Sequence, residues 1–328
     1  MGELNMVYKS LKTSIMGLVA GTSMIFGANA ASAGDWQPQK PITMVIMAGQ
    51  GGGADRIARL FQSIIQKENL ANMPILPVNK GGGSGAEALR FLKDQEGDAH
   101  TVMATLNSYY TTPLRNDIGV DIAEFNPLAR MAMDTFVLWV NADSDIKTLD
   151  DYVAAVSAAG GNWKMGGTGT GQEDSLVTAM LEKEFGIKHT YVPFKGGGTV
   201  AKNLVGNHID STVNNPAEQM GFWKAGKVRP IVAFTPDRLD VFPDVPTAKE
   251  LGHEIVYWMQ RSFVAPKGMP TAAVDYYTEL FEKLAATEEW QTYAKEKALV
   301  ADMITGSELQ DYFLDERAKH KQILASSE

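Results

Sequence analysis

Short apolar runs rich in β-branched residues alternate along the chain with segments whose apolar residues recur at helical spacing. The run ITMVIMA at residues 42–48 is typical of a buried strand, and the segment after it is typical of an amphipathic helix. The apolar residues on one face of that helix are Ile57, Leu60, Phe61, Ile64 and Ile65. The alternation returns between residues 163 and 234. It predicts an α/β protein with doubly wound parallel sheets flanked by helices.

Two long apolar segments interrupt this alternation and are predicted to be long strands. They lie near residues 135–142 and 255–265, on either side of the middle block. Long strands at such places are suited to pass from one lobe to another. We therefore predict a lobe 1 of residues 34–138 plus 259–328 and a lobe 2 of residues 139–258.

Local signals define the ends of several predicted elements. Thr148 is expected to cap the start of a helix, because its side-chain oxygen can accept a hydrogen bond from a backbone N–H of the first turn. Gly160 is expected to end that helix. From Thr271 onward the pattern predicts helices throughout.

The N-terminus has the three parts of a secretory signal peptide. Lys9 and Lys12 precede the apolar run SIMGLVAGTSMIFGA, and Ala31 and Ala33 form a cleavage pattern. A membrane anchor is the alternative, but this run is short for one and rich in glycine. We expect residues 1–33 to be cleaved and the remaining chain to be periplasmic.

Charge and composition limit the classes of function. The 328 residues include no cysteine and carry a net charge of −9, and the chain after residue 33 is near −10 because the signal segment is net positive by one. An acidic surface argues against general binding to nucleic acid. A small anionic ligand would have to be attracted by local dipoles, because the global charge repels it.

Four loops between a predicted strand and a predicted helix are rich in glycine. We call them the first to fourth glycine loops, and they run from Gly49 to Gly53, Gly81 to Gly83, Gly166 to Gly171, and Gly196 to Gly198. In doubly wound sheets, such loops lie at the carboxyl ends of the strands, where ligands bind. A helix N-terminus with free N–H groups can hold an anion there. Tight turns alone are the alternative, but a close approach of a ligand to the backbone better explains four such runs.

Signs of catalysis are sparse. Three glycine loops match G-x-G-x-x-A, which shows how weak that dinucleotide pattern is, and PILPVNK lacks the acidic residue expected after the second strand. No Walker A sequence, G-x-S-x-G elbow, cysteine nucleophile or metal-spaced histidine pair is present. We therefore expect no cofactor and no metal, and a protein that is not an enzyme.

Polar and aromatic residues at the predicted strand ends are expected to add contacts to a ligand. Asp55 follows the first glycine loop and is either a helix-start acid or the residue that orders the loop. Lys80 and Lys195 are candidate cations, while Tyr110 and Phe194 are candidates for an apolar wall. The expected ligand-binding residues are Gly51, Gly52, Gly53, Asp55, Gly82, Gly83, Asn107, Ser108, Tyr109, Thr168, Gly169, Thr170, Lys195, Gly196, Gly197, Asn215 and Trp258.

The motifs, taken together, resemble those of a known family. GGGADRIAR is similar to PGGxxDxxAR, VNKGGGSGAEA to NxxGAGGxxG, and FPDVPTAKELG followed by FVAPKGMP to PDVPTxxExG followed by FAPxGTP. These motifs belong to the substrate-binding proteins of tripartite tricarboxylate transporters, the TctC or Bug family. The resemblance runs from about Pro41 to the C-terminus.

This resemblance implies a type II periplasmic-binding-protein fold, with two doubly wound lobes joined by crossover strands. It implies a monomeric receptor that captures a small carboxylate between the lobes and delivers it to membrane transporter subunits, without catalysis. The alternatives are an exported enzyme that acts on a carboxylate or phosphate in the same cleft, and a ligand-binding partner of a two-component sensor. The glycine loops contain no arginine, so we expect a mono- or dicarboxylate with an apolar body in preference to citrate.

Overall fold

The computed structural model describes residues 36–325. The predicted signal peptide, residues 1–33, lies outside the described residues. Within the described range, no helix has the length and apolar character needed to cross a membrane.

Eleven strands and ten α-helices follow one another along residues 36–325. The strands are β1 (Ile42–Ile46), β2 (Ile75–Asn79), β3 (Thr101–Thr105), β4 (Asn126–Thr135), β5 (Val137–Asn141), β6 (Lys164–Gly167), β7 (Thr190–Pro193), β8 (Ser211–Asn214), β9 (Val228–Ala233), β10 (Trp258–Ala265) and β11 (Ile304–Thr305). The helices are α1 (Gly53–Lys67), α2 (Ala86–Lys93), α3 (Ser108–Arg115), α4 (Leu149–Ala158), α5 (Glu173–Phe185), α6 (Gly197–Val205), α7 (Pro216–Lys224), α8 (Thr271–Ala285), α9 (Glu288–Glu296) and α10 (Gly306–Ala325).

The strands form two sheets, with the orders β11-β4-β10-β3-β1-β2 and β7-β6-β8-β5-β9. The pairs among β1, β2 and β3 are parallel, as are those among β6, β7 and β8. β10 runs antiparallel to β3 and β4, and β5 runs antiparallel to β8 and β9. The predicted parallel pairing is present in both sheets, and the antiparallel pairs of β5 and β10 are added to it. β5 follows β4 of the first sheet, and β10 follows β9 of the second sheet. Each is therefore the first strand after the chain passes from one sheet to the other, and each runs antiparallel to its neighbours.

The chain crosses between the sheets at two places that contact each other. The long strand predicted near residues 135–142 is interrupted at Phe136, which separates β4 from β5. The Phe234 N–H donates to the Phe136 carbonyl, and the Tyr257 N–H donates to the Phe234 carbonyl, each at 3.0 Å. The two crossings are thus hydrogen-bonded to one another. The division into two lobes at the residues given above stays a prediction.

Several local expectations can be compared with the observed elements. Thr148 caps α4 in a reciprocal arrangement in which its side chain accepts from the Asp151 N–H and Asp151 accepts from the Thr148 N–H, so this prediction is confirmed. The helix α3 was not predicted, and it contains Pro113, a residue that usually argues against a helix. The helical C-terminal part is interrupted by β11, which pairs with β4.

The apolar stripe of α1 fixes the position of the first glycine loop. Ile57, Phe61, Ile64 and Ile65 are buried, as the helical spacing predicted. Phe61 stacks on Phe263 of β10 with ring centroids 5.4 Å apart. Because α1 is held against the sheet along its length, its N-terminus is held at the carboxyl end of β1.

Candidate functional site

The four glycine loops meet at one cavity of about 510 Å³. The loops contribute Gly49, Gly52, Gly53, Gly81, Gly82, Gly83, Thr168, Gly169, Gly196 and Gly197 to its lining, and Lys195, which precedes the fourth loop, also lines it. Further lining residues come from the helices, from the N-cap of α5 and from β10, namely Glu87, Gln172, Glu173, Asp174, Glu218, Met259 and Arg261. The cavity has the size of a site for a small molecule.

The first and fourth glycine loops approach each other through their backbones. A Cβ atom on Gly49 would lie 1.9 Å from the Lys195 carbonyl oxygen, and one on Gly198 would lie 2.7 Å from the Gly51 carbonyl oxygen. Any larger residue at these two positions would push the loops apart. At Gly49 and Gly198, the close approach is therefore between two loops, whereas the sequence had suggested a close approach of ligand.

Within the first glycine loop, Asp55 orders the backbone. One carboxylate oxygen of Asp55 accepts from the Gly51 N–H at 2.8 Å. The other accepts from Arg59 and Asn79, each at 2.9 Å. Asp55 is buried and is not part of the cavity lining. These contacts match the loop-ordering interpretation.

Three buried carboxylates accept hydrogen bonds from backbone N–H groups at the cavity. Glu218 of α7 accepts from the Gly53 N–H at the start of α1, at 2.7 Å. Glu173 of α5 accepts from the Ser108 N–H at the start of α3, at 2.7 Å. Asp174 accepts from the Thr168 N–H at 2.8 Å. The protein's own acids thus occupy some of the helix N-termini that the sequence had assigned to a ligand.

The burial of these acids shifts their ionisation towards neutral pH. Burial has the largest effect on Glu173 and raises its pKa. Hydrogen bonds from backbone N–H groups lower it and repulsion from Asp174 raises it, and the resulting pKa is about 7. Burial and the repulsion from Asp174 likewise raise the pKa of Glu218 to about 7. Burial also raises the pKa of Asp174 to about 6. A carboxyl group that leaves water favours its neutral form.

Arg261 is the buried cation of the site. Its guanidinium pairs with Asp134 through Nε and Nη2, the former at 3.0 Å, and Nη2 also donates to the Asn215 side chain at 3.3 Å. Burial acts to lower the pKa of Arg261, but the attraction of Asp134 and the neighbouring acids outweighs it and raises the pKa. The guanidinium lies directly beneath Gly53, since a Cβ there would be 2.3 Å from Nη2.

Many of the residues expected to bind ligand lie at this cavity. Those in its lining are Gly52, Gly53, Gly82, Gly83, Thr168, Gly169, Lys195, Gly196, Gly197 and Asn215. Those outside its lining are Gly51, Asp55, Asn107, Ser108, Tyr109, Thr170 and Trp258. The binding role of the whole set stays a prediction.

The residues outside the lining have other contacts. Asn107, directly before α3, is buried and contacts β10, because it donates to the Trp258 carbonyl and accepts from the Gln260 N–H. Tyr109 is fully buried, and its hydroxyl donates to the Ile122 carbonyl. The Thr170 carbonyl accepts from Arg115 at 2.6 Å.

The candidate cations and the aromatic residues expected to form an apolar wall differ in whether they line the cavity. Lys80 pairs with Glu87 at 3.4 Å and lies over the Phe91 ring. Tyr110 is fully buried against His320, whereas Phe194 lines the cavity.

The buried glutamates predict a pH dependence of stability. Their pKa of about 7 in the folded protein exceeds the ordinary 4.5, so the folded state holds extra protons between about pH 4.5 and 7. Stability from these groups is therefore present at low pH and is lost as the pH rises through 7. Compared with the wild type, we expect Glu173→Gln and Glu218→Gln to increase the free energy of unfolding more at pH 8 than at pH 5. Each effect is on the order of 3 kcal/mol, at about 1.4 kcal/mol per pKa unit.

The measurement is urea unfolding of each variant and the wild type at both pH values. Burial lowers the pKa of His189 and His320, so these groups favour higher pH, and only the difference between variant and wild type isolates the glutamates. Glu282→Gln, on the exposed face of α8, is the control. Variants that differ from the wild type equally at pH 5 and pH 8 would contradict this assignment.

No group of three or more histidine, cysteine, aspartate or glutamate side chains in residues 36–325 is arranged to hold a metal ion. The acids at the cavity instead bond to backbone N–H groups. Two α/β sheets joined by two crossings, with helix N-termini around a central cavity, define a protein of the periplasmic-binding-protein class.

Comparison with known proteins agrees with this class. The sequence profile of the tripartite tricarboxylate transporter family receptor, TctC, matches residues 57–327. The chain belongs to this family, as its motifs had suggested. A UPF0065 protein from the gbd 5′ region of Cupriavidus necator is 30% identical over 270 residues, which cover 81% of this chain and 82% of that protein.

Solved structures confirm the predicted fold. The periplasmic binding protein BugD is 19% identical, with a TM-score of 0.83 over 88% of this chain and 98% of that one. MatC from Rhodopseudomonas palustris, solved with bound malate, is 21% identical, with a TM-score of 0.80 over 87% of this chain and 99% of that one. The family is one of periplasmic receptors that bind substrates, and this chain has the role of a solute-binding receptor.

Proposed function

We propose that this protein is exported by its N-terminal signal peptide and, as a monomer, captures a small carboxylate in the cavity between two lobes. It then delivers the carboxylate to the membrane subunits of a tripartite tricarboxylate-type transporter and performs no chemical step on it. The single observation that supports ligand capture is the convergence of four strand–helix loops on one cavity. The family to which the chain belongs supports the delivery.

The backbone around the cavity supports an anion in two places. Gly52 and Ala54 lie at the start of α1, and Gly196 and Gly197 lie at the start of α6, all in the cavity lining. Within the described residues, their N–H groups donate to no protein acceptor. A Cβ on Gly52 would lie 4.0 Å from the Gly197 nitrogen and 3.6 Å from Glu218 Oε1, so the two helix N-termini lie close together beside the Glu218 carboxylate. Charge-assisted hydrogen bonds from such groups hold a carboxylate firmly.

We expect at least one small mono- or dicarboxylate to raise the melting temperature of the protein, and citrate not to exceed it. A tricarboxylate would bring three negative charges close to Glu173, Asp174 and Glu218. The measurement is a thermal-shift screen of aliphatic, aromatic and amino-substituted carboxylates, confirmed by calorimetry. A citrate response above every other compound would contradict the preference but leave the receptor role in place.

Gly52→Val is the control variant in which the binding site for the ligand is blocked. Gly52 has φ −77° and ψ 171°, an extended conformation that valine adopts readily. Gly52 lines the cavity, and its Cβ would make ordinary van der Waals contact, at 3.6 Å, with Glu218 Oε1 and the Gly49 carbonyl oxygen. The variant is expected to fold and to lose its response to ligand. A full response in this variant would place the carboxylate elsewhere.

A further inference from the structure

The charges at the cavity do not suit a simple anion, and this inference deepens the proposed receptor function on which it rests. The buried ionisable residues in the lining are Glu173, Asp174, Glu218 and Arg261. The Arg261 charge is already balanced by Asp134, which is fully buried beside it. The lining is therefore rich in buried acid, although its backbone is suited to bind a carboxylate.

Two of these acids have a buried oxygen without a hydrogen-bond partner. Oε1 of Glu173 and Oε1 of Glu218 each accept a backbone N–H, as described above. Oε2 of each residue is buried and has no partner among residues 36–325. Glu173 is 1% exposed and Glu218 is 5% exposed, so water does not solvate them as it would at a surface. A buried acceptor without a donor is unfavourable, and a donor supplied by the ligand would remove that cost.

The chemistry of the missing donor follows from the charge and geometry. A primary or secondary ammonium group brings both a positive charge and several N–H donors. A quaternary ammonium group brings the charge without the donors, and a hydroxyl brings one donor without the charge. A second carboxylate brings neither and adds repulsion. A metal ion is disfavoured because no described set of acidic or histidine side chains is arranged around one point.

We propose that the ligand is a zwitterion, a small carboxylate that also carries a primary or secondary ammonium group. The ammonium group donates to the Oε2 atoms of Glu173 and Glu218. The carboxylate accepts from the N–H groups of the first and fourth glycine loops. The cavity lining brings together both partners that such a ligand needs, with Gly197 in contact with Glu218, since a Cβ on Gly197 would lie 2.0 Å from Oε2.

The pH dependence of binding distinguishes this ligand from a dicarboxylate. An ammonium ligand requires ionised glutamates, so its affinity rises with pH as Glu173 and Glu218 lose their protons. A dicarboxylate requires protonated glutamates that donate to it, so its affinity falls over the same range. The charged groups that act on the two glutamates from the surrounding elements are Asp174 on α5, Arg261 on β10, Asp134 on β4 and Arg56 on α1. Lys195 lies in the cavity lining immediately before the fourth glycine loop.

The test uses pairs of carboxylates that differ by one amino group, measured by calorimetry on the full mature chain at pH 6 and pH 8. Suitable pairs are glutamate with glutarate and γ-aminobutyrate with butyrate, and glycine betaine serves as a quaternary control. In at least one pair, we expect the amino compound to bind tenfold or more tightly than its partner and severalfold more tightly at pH 8. Glycine betaine is expected to bind no better than the acids without an amino group.

Glu173→Gln and Glu218→Gln keep an oxygen acceptor for the backbone N–H but remove the charge. Each is expected to lose tenfold or more in affinity for the amino compound and none for its partner, and Glu282→Gln is the control. Equal or tighter binding of the acids without an amino group, or tighter binding at pH 6, would overturn the zwitterion proposal but leave the receptor role. Binding of no carboxylate of either kind would overturn both. The wild-type comparison decides between these outcomes even if a variant fails to fold.

Discussion

Replacing Gly49 by alanine is expected to weaken ligand binding about a hundredfold while leaving the protein folded. The new Cβ would lie 1.9 Å from the carbonyl oxygen of Lys195, and backbone on the opposite loop cannot move away as a flexible side chain can. The closed arrangement of the loops would become less favourable, and a ligand that requires it would bind in proportion to the population that remains closed. A hundredfold loss corresponds to about 2.7 kcal/mol.

Calorimetry measures the affinity, and small-angle scattering measures the radius of gyration with and without ligand. Gly198→Ala tests the second backbone contact, with the Gly51 carbonyl. Gly221→Ala is the matched control, because its Cβ would meet no atom within 4 Å. If Gly49→Ala binds and contracts like the wild type, the loops do not need to touch for the receptor to close.

The buried ion pair of Arg261 and Asp134 yields the second large effect. Arg261→Met is expected to lower the free energy of unfolding by about 3–5 kcal/mol, because it leaves a charged Asp134 buried without its partner. The double variant Arg261→Met with Asp134→Leu is expected to recover most of this loss, since it removes both charges. The measurement is the free energy of unfolding in urea at pH 7.

The control for this effect is an exposed pair of similar geometry. Arg238 contacts Glu250 at 2.9 Å, with both side chains more than 40% exposed. Arg238→Met is expected to cost less than about 1 kcal/mol, because water screens such pairs. An Arg261→Met variant no less stable than this control would show that Asp134 finds another partner or a proton at little cost.

Local sequence signals were sufficient for most helices and strands. The stripe on α1 and the Thr148 cap of α4 depend on neighbouring residues, so the sequence showed them directly. The reversed direction of β5 and β10 could not be predicted, because a buried strand has the same apolar pattern in either direction. Helix α3 was not predicted, and its internal Pro113 donates no backbone hydrogen bond, so the helix forms despite an unfavourable local signal.

The glycine loops of the site were predictable, whereas its charges were not. Glu218 is 165 residues from the Gly53 N–H that it accepts, and no local pattern reports a contact over that distance. Arg261 was overlooked because the search for a cation was confined to the loops. Its presence within a buried strand was the available signal, since a charged residue in a buried strand requires a partner. The acids that follow the third glycine loop, Glu173 and Asp174, were visible only as helix-start residues.

The direct backbone contacts between the first and fourth glycine loops have a consequence for how such receptors diversify. The loops meet through Gly49 and Gly198, which have no side chains, whereas the buried acids reach the cavity from the first turns of α5 and α7. The closed arrangement of the loops and the recognition of the ligand therefore depend on different residues. Evolution or protein engineering can replace the acids to accommodate a different ligand while the contacts that close the loops stay unchanged.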